Sequence, residues 1–276
     1  CENCAFYLYG GTVKNDGVAA VGNVQSKVYL YGGTVDSLGN NGVATRAAGT
    51  IYLCGNTAIN HGEGFASVRS LGAGCIDAKG YAGAALTISY EKTNPADGEV
   101  VVMNSANTAK FTLIKLDGKK LQALGGNLVL ASKEYTVTLP ATQTGYTLTA
   151  ATGSASPVTH GGSYTFQFAL ADGYSKTDSF AVRVNGTEVT LENNGTYTIS
   201  NITADTAVTV GGVADTTAPT GKITIGENEW DKFLNSITFG YFFKDTQSVE
   251  VTAADPGSGV DKIYYYLADG AKTEAE

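Results

Sequence analysis

One short phrase opens the chain and returns twice. Phe6-Tyr7-Leu8-Tyr9-Gly10-Gly11-Thr12-Val13 recurs as Val28-Tyr29-Leu30-Tyr31-Gly32-Gly33-Thr34-Val35, then in altered form as Ile51-Tyr52-Leu53-Cys54-Gly55-Asn56-Thr57. Tyr7 to Tyr29 is 22 positions and Tyr29 to Tyr52 is 23. A second phrase keeps pace with it: Gly17-Val18-Ala19, Gly42-Val43-Ala44, Gly64-Phe65-Ala66. Self-similarity at a period of about 20–50 residues marks a solenoid, propeller or array. Each copy is too short to bury a core alone and must stack on its neighbours.

The alternation within the phrase divides it between two faces, because successive side chains of a strand point opposite ways. Phe6 and Leu8, Val28 and Leu30, Ile51 and Leu53 share one face; Tyr7, Tyr9, Tyr29, Tyr31, Tyr52 and Cys54 share the other. The aliphatic set suits an interior and the tyrosines an outer ladder. About 22 residues per copy, with short strands and Gly/Asn turns, matches one coil of a right-handed parallel β-helix. Residues 1–133 are therefore expected to be the C-terminal coils and cap of such a helix. Further strands are expected at 86–90, 100–103, 111–114 and 127–130, as irregular final coils, since terminal repeats are usually atypical.

Composition agrees with an all-β chain. Gly is 35 of 276 residues, nearly twice the usual share of ~7%, while Pro is only 5, so the excess belongs to turns between strands. Thr, Tyr and Val are plentiful, and no stretch keeps apolar residues at helical spacing. A net charge of −8 argues against nucleic acid and against an anionic membrane surface as partner. No run of about 18 apolar residues suggests membrane insertion. The chain opens at Cys1 and its one Met is Met103, so it reads as a segment of a longer, exported protein.

Cys1-Glu2-Asn3-Cys4 is a CxxC, but Cys54 and Cys75 are 21 positions apart and do not complete a zinc ribbon. With a constant period, Cys54 and Cys75 would stand on the outer face of adjacent coils, offset by two residues. That diagonal is about 8 Å, beyond the ~7 Å a disulfide spans between Cα atoms. Free thiols are expected there.

From residue 134 to 212 the pattern changes to alternating strands separated by turn residues. Gly161-Gly162-Ser163-Tyr164-Thr165-Phe166, Gly173-Tyr174-Ser175, Val182-Arg183-Val184-Asn185-Gly186 and Gly195-Thr196-Tyr197-Thr198-Ile199 occur in order, closing on Ile202-Thr203-Ala204-Asp205-Thr206-Ala207-Val208-Thr209-Val210. Asn185-Gly186 is a hairpin signal. This segment resembles the immunoglobulin-like repeats of large surface proteins of Gram-positive gut bacteria. The resemblance implies a β-sandwich used as a spacer, without catalysis. Residues 213–220 read as a linker, and Pro219 biases Ala218 to an extended backbone. Residues 221–276 resemble a second family of bacterial immunoglobulin-like domains, in truncated form. The likeness rests on Asp255-Pro256-Gly257-Ser258-Gly259-Val260 preceding the Tyr-rich Lys262-Ile263-Tyr264-Tyr265-Tyr266. Strands are expected at 222–225, 236–239, 249–252 and 262–266.

Candidates for chemistry are scattered. Glycoside hydrolysis needs two carboxylates about 5–9.5 Å apart. Asp16, Asp36, Glu63 and Asp77 are the acids near the coils, and Lys14, Arg46 and Arg69 the bases, but none clusters in sequence. His61 and His160 lie in separate segments, and no Gly-x-Ser-x-Gly elbow or phosphate loop occurs. Asp215, Asp255 and Asp261 raise the question of calcium at a module joint, without loop spacing to support it. Trp230, Phe233, Phe239, Tyr241, Phe242 and Phe243 read as the core of the third segment. Asn185, Asn194 and Asn201, each in Asn-x-Thr, read as turn residues.

The expected role is presentation. The β-helix contacts a glycan, host or cell-surface ligand through Tyr7, Tyr9, Tyr29, Tyr31 and Tyr52, and the sandwiches hold it away from a bacterial cell wall, with no catalytic residue, metal or cofactor. The alternatives are a secreted polysaccharide lyase or hydrolase with accessory sandwich modules, and a purely structural stalk.

Overall fold

The computed structural model describes residues 4–17, 19–23, 25–45, 49–192, 195–226, 248–255 and 257–265. Among these, regular structure is strand, apart from one 3-10 turn at Thr108–Lys110. No helix among them is long and apolar enough to cross a membrane. The chain divides into two compact units: one runs to Thr136 and includes Pro157–Gly162 and Ser200–Asp205; the other holds the rest.

The first unit is a β-solenoid of five coils. The first coil holds β1 (Ala5–Leu8), β2 (Thr12–Lys14) and β3 (Ala19–Asn23). The second holds β4 (Lys27–Leu30), β5 (Thr34–Asp36) and β6 (Asn41–Thr45), and the third β7 (Thr50–Leu53), β8 (Ala58–Asn60) and β9 (Val68–Ser70). The fourth is β10 (Ile76–Asp77) and β11 (Leu86–Tyr90), and the fifth β12 (Val100–Met103) and β13 (Phe111–Ile114). Like strands stack in parallel as three sheets: β1-β4-β7-β10-β12, β2-β5-β8 and β3-β6-β9-β11-β13.

Register explains the core. Phe6, Val28, Ile51, Ile76 and Val102 form one inward column on the first sheet, and Leu8, Leu30 and Leu53 another. Val13, Val35 and Ile59 line the second sheet; Val21, Val43, Val68, Ile88 and Leu113 line the third. Leu30, Ile51, Leu53, Ile76, Val35, Val43, Val68 and Ile88 are fully buried. Like side chains stacked on like fill a narrow interior densely. The stack ends in a hairpin, β14 (Lys119–Leu124) and β15 (Asn127–Ser132), with β15 antiparallel to β12. Leu128 and Leu130 of β15 close the core.

Glycine at the corners is required by close approach of neighbouring coils. Gly33 has φ 83°, and a Cβ there would lie 2.9 Å from the Gly10 carbonyl carbon. A Cβ on Gly55 would collide with the Tyr31 carbonyl oxygen. The Gly-Gly of the repeated phrase is thus a turn that must nest on the turn before it.

Two expectations fail at the level of register. Val43 lies on Val21 and Val68, and Ala44 on Gly22 and Arg69, so the three Gly-x-Ala phrases do not superpose. Every register pair between the first and second coils is 22 positions apart, whereas Gly17 and Gly42 are 25 apart, so the phrase slips along an unchanged corner. Only in the third coil does that corner gain a residue, with Val35 to Val43 at 8 positions and Ile59 to Val68 at 9. Cys75 is also displaced. Ile76 pairs with Ile51, 25 positions on rather than 23, which sets Cys75 at the level of Thr50 and buries it. Neither Cys54 nor Cys75 is disulfide-bonded, as expected. Cys4 is disulfide-bonded, which removes it from any zinc site.

After the hairpin, β16 (Glu134–Tyr135) pairs antiparallel with β19 (Val158–Thr159), and the strands that follow the solenoid form two further sheets. One is ordered β17 (Val137–Thr138), β24 (Thr206–Asp215), β21 (Tyr174–Val184) and β22 (Thr187–Glu188); the other β18 (Tyr146–Ala150), β20 (Gly162–Leu170) and β23 (Thr196–Ile202). Asn185 and Gly186, at φ 48° and 84°, turn the chain so that Val184 faces Thr187. The sheets meet through Phe168 and Phe180, whose rings lie edge to face at 5.1 Å. Phe166, Tyr164, Tyr197, Leu148 and Val208 are buried.

Beyond these sheets, β25 (Thr220–Ile225) and β26 (Val249–Ala254) form an antiparallel pair. The expected strand at 236–239 and the Trp230–Phe243 aromatic group lie outside the described residues. Residues 262–265 are not strand, and Tyr264 and Tyr265 are exposed.

Candidate functional site

The outer face of the first sheet carries all five tyrosines of the expected site in one array. Tyr7, Tyr29 and Tyr52 are register partners. Their ring centroids are 4.8 Å and 4.5 Å apart, with planes within 8° of parallel. Tyr9 and Tyr31 form a second column at 4.9 Å. Across the columns Tyr7 and Tyr9 are 6.2 Å apart, and Tyr29 and Tyr31 6.4 Å. The spacing is that of hydrogen-bonded strands, so the backbone sets the stack and the rings follow it.

Each column ends in a different chemistry. Asp77 pairs with Tyr52 and continues the first column, and its carboxylate accepts a hydrogen bond from the Asn104 amide at 2.9 Å. Cys54 continues the second, its N–H donating to Leu30 just as the Tyr31 N–H donates to Leu8. Desolvation, then the adjacent Cys54, Tyr9, Tyr29 and Tyr7 side chains, raise the Tyr31 phenol above its ordinary pKa, so it remains a neutral hydrogen-bond donor at neutral pH.

Stacking decides what the array can offer. Between column neighbours the π faces are spent on one another, and there the stack offers ring edge and phenol oxygen. Tyr7, Tyr9 and Tyr31 are 50%, 72% and 40% exposed, while Tyr29 and Tyr52 are half-buried. A sugar that stacks flat on an aromatic face finds none between the rings of a column; among the described residues only the outer faces of Tyr7 and Tyr9 carry no further side chain of their column. A ligand that hydrogen-bonds to hydroxyls and packs against ring edges finds a regular two-column grid of them.

The other chemical candidates are dispersed. Asp36 lies on the second sheet, where it pairs with Lys14 at 3.9 Å and accepts from the Asn60 amide at 3.3 Å. Asp77 lies on the first sheet, and Asp16 and Glu63 are exposed in turns. Arg69 is engaged by Glu91 at 2.7 Å, and Arg46 lies outside the described residues. His61 donates from Nδ1 to the Gly62 carbonyl at 2.9 Å, which leaves Nε2 to accept from the Thr87 hydroxyl at 3.2 Å. The Thr87 oxygen also accepts from the Ser67 N–H at 2.9 Å. Thr87 and Ser67 carry no sequence signal, since only the third-sheet register brings them to His61. This chain of bonds ties the third corner to the fourth coil. His160 has other partners, Tyr135 and Asp117.

Asp215 accepts backbone N–H bonds from Thr217 at 2.9 Å and Ser258 at 2.6 Å, and these hold its carboxyl below its ordinary pKa. Its oxygens are thus occupied by the turn that Asp255 also organises. Among the described residues, no group of three His, Cys, Asp or Glu side chains could hold a metal ion. Asn194 lies outside the described residues.

No protein-family model, no curated protein and no solved structure matches this chain.

Proposed function

We propose that the solenoid is a non-catalytic contact module of an exported bacterial surface protein. In this reading it binds a glycan or a protein on a host or cell surface through Tyr7, Tyr9, Tyr29, Tyr31 and Tyr52. The observation that carries the reading is the ladder itself: tyrosines, rather than charged or small polar residues, hold the solvent face of three successive coils. Aromatic side chains with polar tips give large contact area at low entropic cost, and they are enriched where proteins bind partners.

The segments after the solenoid serve as spacers in this proposal, residues 134–212 as one immunoglobulin-like sandwich and 221–276 as part of another. Sheets of four and three strands, joined in part by the Asn185-Gly186 hairpin, are in keeping with such a sandwich. The protein would then stand outside the cell, associated with the cell wall. Scattered carboxylates that hydrogen-bond to asparagine amides rather than to each other favour contact over hydrolysis.

The test is binding to a glycan array and to purified mucin and matrix glycoproteins, by the wild type and by the Tyr7→Ser, Tyr9→Ser, Tyr31→Ser triple variant. The three positions are the exposed ones, so the coil core is untouched. The expected result is a loss of about tenfold or more, worth ~1.4 kcal/mol, with an unchanged circular dichroism spectrum. A wild type that binds nothing on either panel would leave a structural stalk as the better account.

A further inference from the structure

The ladder places phenols in register that are far apart in sequence, and this has a covalent consequence independent of ligand binding. We propose that the ladder is an oxidative cross-linking site, at which Tyr29 is joined to Tyr52 or Tyr7 by a ring-to-ring carbon bond in the presence of a haem peroxidase and hydrogen peroxide.

Three observations carry this. The Tyr29 ring lies between Tyr7 and Tyr52 at 4.8 Å and 4.5 Å, with planes 4° and 8° from parallel, so two coupling partners are already in van der Waals contact. The outer rings are open to an oxidant, since Tyr7 and Tyr9 are 50% and 72% exposed. A hole made there passes along the stacked rings to the half-buried Tyr29. Competing sinks are scarce: the chain has one Trp and one Met, and Met103 stands beyond Asp77 in the first-sheet register.

The second column differs from the first. It ends on the Cys54 thiol, whose pKa is raised by desolvation and then by Asp77, and which therefore stays protonated. A protonated thiol beside Tyr31 returns a hydrogen atom to a tyrosyl radical and becomes a thiyl radical. This loses a second electron to the peroxidase and takes up water, so that the thiol and one hydrogen peroxide end as a sulfenic acid and one water. The carbon–carbon bond accordingly forms in the first column, and Cys54 drains the second.

The chemistry balances. Each of two phenols gives up one electron and one proton. The two radicals couple through ring carbons ortho to oxygen, and the product loses its two ring hydrogens to the oxygens as aromaticity returns. Hydrogen peroxide takes up the two electrons and two protons, yielding two waters. The protein loses two hydrogen atoms in mass. The new bond would clamp coils 22 and 23 positions apart in sequence, as a disulfide clamps a loop.

The experiment treats the dilute full chain with peroxidase and hydrogen peroxide, then follows dityrosine fluorescence and maps linked peptides from the monomer band. The expected product is a peptide pair joining Tyr29 to Tyr52 or Tyr7, formed at a rate independent of protein concentration, with a raised melting temperature. Tyr29→Phe keeps the ring in the stack and should abolish that pair, whereas Tyr135→Phe, outside the ladder, should leave it unchanged. Cys54→Ala should bring a Tyr9–Tyr31 pair into view. Cross-links found only in dimers, or a monomer without a Tyr29-linked peptide at an oxidant dose that couples free tyrosine, would overturn the proposal.

Discussion

The ring of Tyr29 lies on the ring of Tyr52, centroids 4.5 Å apart, while Tyr7 covers its other face at 4.8 Å. Tyr29 therefore makes two face contacts in its column and Tyr7 makes one that the described residues show. Aromatic pairs contribute about 0.5–1.5 kcal/mol each beyond area burial, so Tyr29→Ala should cost ~1–3 kcal/mol and Tyr7→Ala about half as much. Tyr29→Phe should be close to neutral. Urea unfolding followed by circular dichroism measures all three. Equal costs for Tyr29→Ala and Tyr7→Ala would show that stacking is not what stabilises this face.

Gly55 and Gly10 occupy the same place in their phrases but meet different surroundings. A Cβ on Gly55 collides with the Tyr31 carbonyl oxygen, and one on Gly10 meets nothing within 4 Å. Gly55→Ala should destabilise the solenoid by at least ~1–3 kcal/mol, the range for overpacking a close contact, and Gly10→Ala should be tolerated. The comparison is read from melting temperatures of the two variants.

Thr57 is fully buried, and its hydroxyl has no hydrogen-bond partner among the described residues. A buried unsatisfied polar group costs about 1–3 kcal/mol, so the near-isosteric Thr57→Val should raise stability by ~1 kcal/mol or more. A destabilised valine variant in a denaturant titration would mean that the hydroxyl is bonded in solution.

Three carboxylates around the fourth and fifth coils are held below their ordinary pKa. Glu91 is held by Arg69, Asp97 by Lys119 and Ser132, and Glu99 by Lys92 and Tyr90. A group whose folded pKa is depressed stabilises the fold above its unfolded value and loses that effect as pH falls through the folded value. Solenoid stability should accordingly decline below about pH 4.5, the ordinary glutamate value. Replacing Arg69 and Lys92 by Met should flatten the decline, as measured by urea midpoints between neutral pH and pH 3.

Burial pushes the Tyr81 phenol up to about 12 from an ordinary 10. Its stabilising effect is complete below pH 10 and is lost as pH rises towards 12, because the unfolded chain then sheds the proton first. Tyr81→Phe should weaken the alkaline loss of structure seen by circular dichroism.

The repeated phrase disclosed the coil, its period and its two faces, because strand alternation is local. Phe6, Val28 and Ile51 point inward and Tyr7, Tyr29 and Tyr52 outward, as the sequence pattern requires. The fourth and fifth coils hide in the sequence for a physical reason. Their strands stay in register while their corners change length, so Ile51 to Ile76 is 25 positions, Ile76 to Val102 is 26 and Val68 to Ile88 is 20. A corner can absorb residues at little cost in a loop, whereas a one-residue slip within a strand would turn its apolar set outward. The same variability placed Cys75 wrongly, whereas the Gly-x-Ala phrase was a false guide because it recurs 25 positions on between two coils whose register is 22 throughout.

By itself, then, the sequence determined an all-β chain, a stacked solenoid near its start, an aliphatic interior and a tyrosine exterior. Those follow from period and alternation, which are properties of neighbouring residues. Only the tertiary structure decided that Asp77 continues the first tyrosine column, that His61 meets Thr87, and that Tyr29 has a ring on each of its faces. Those depend on the register between coils, which the lengths of the corners set and which no short window of sequence contains.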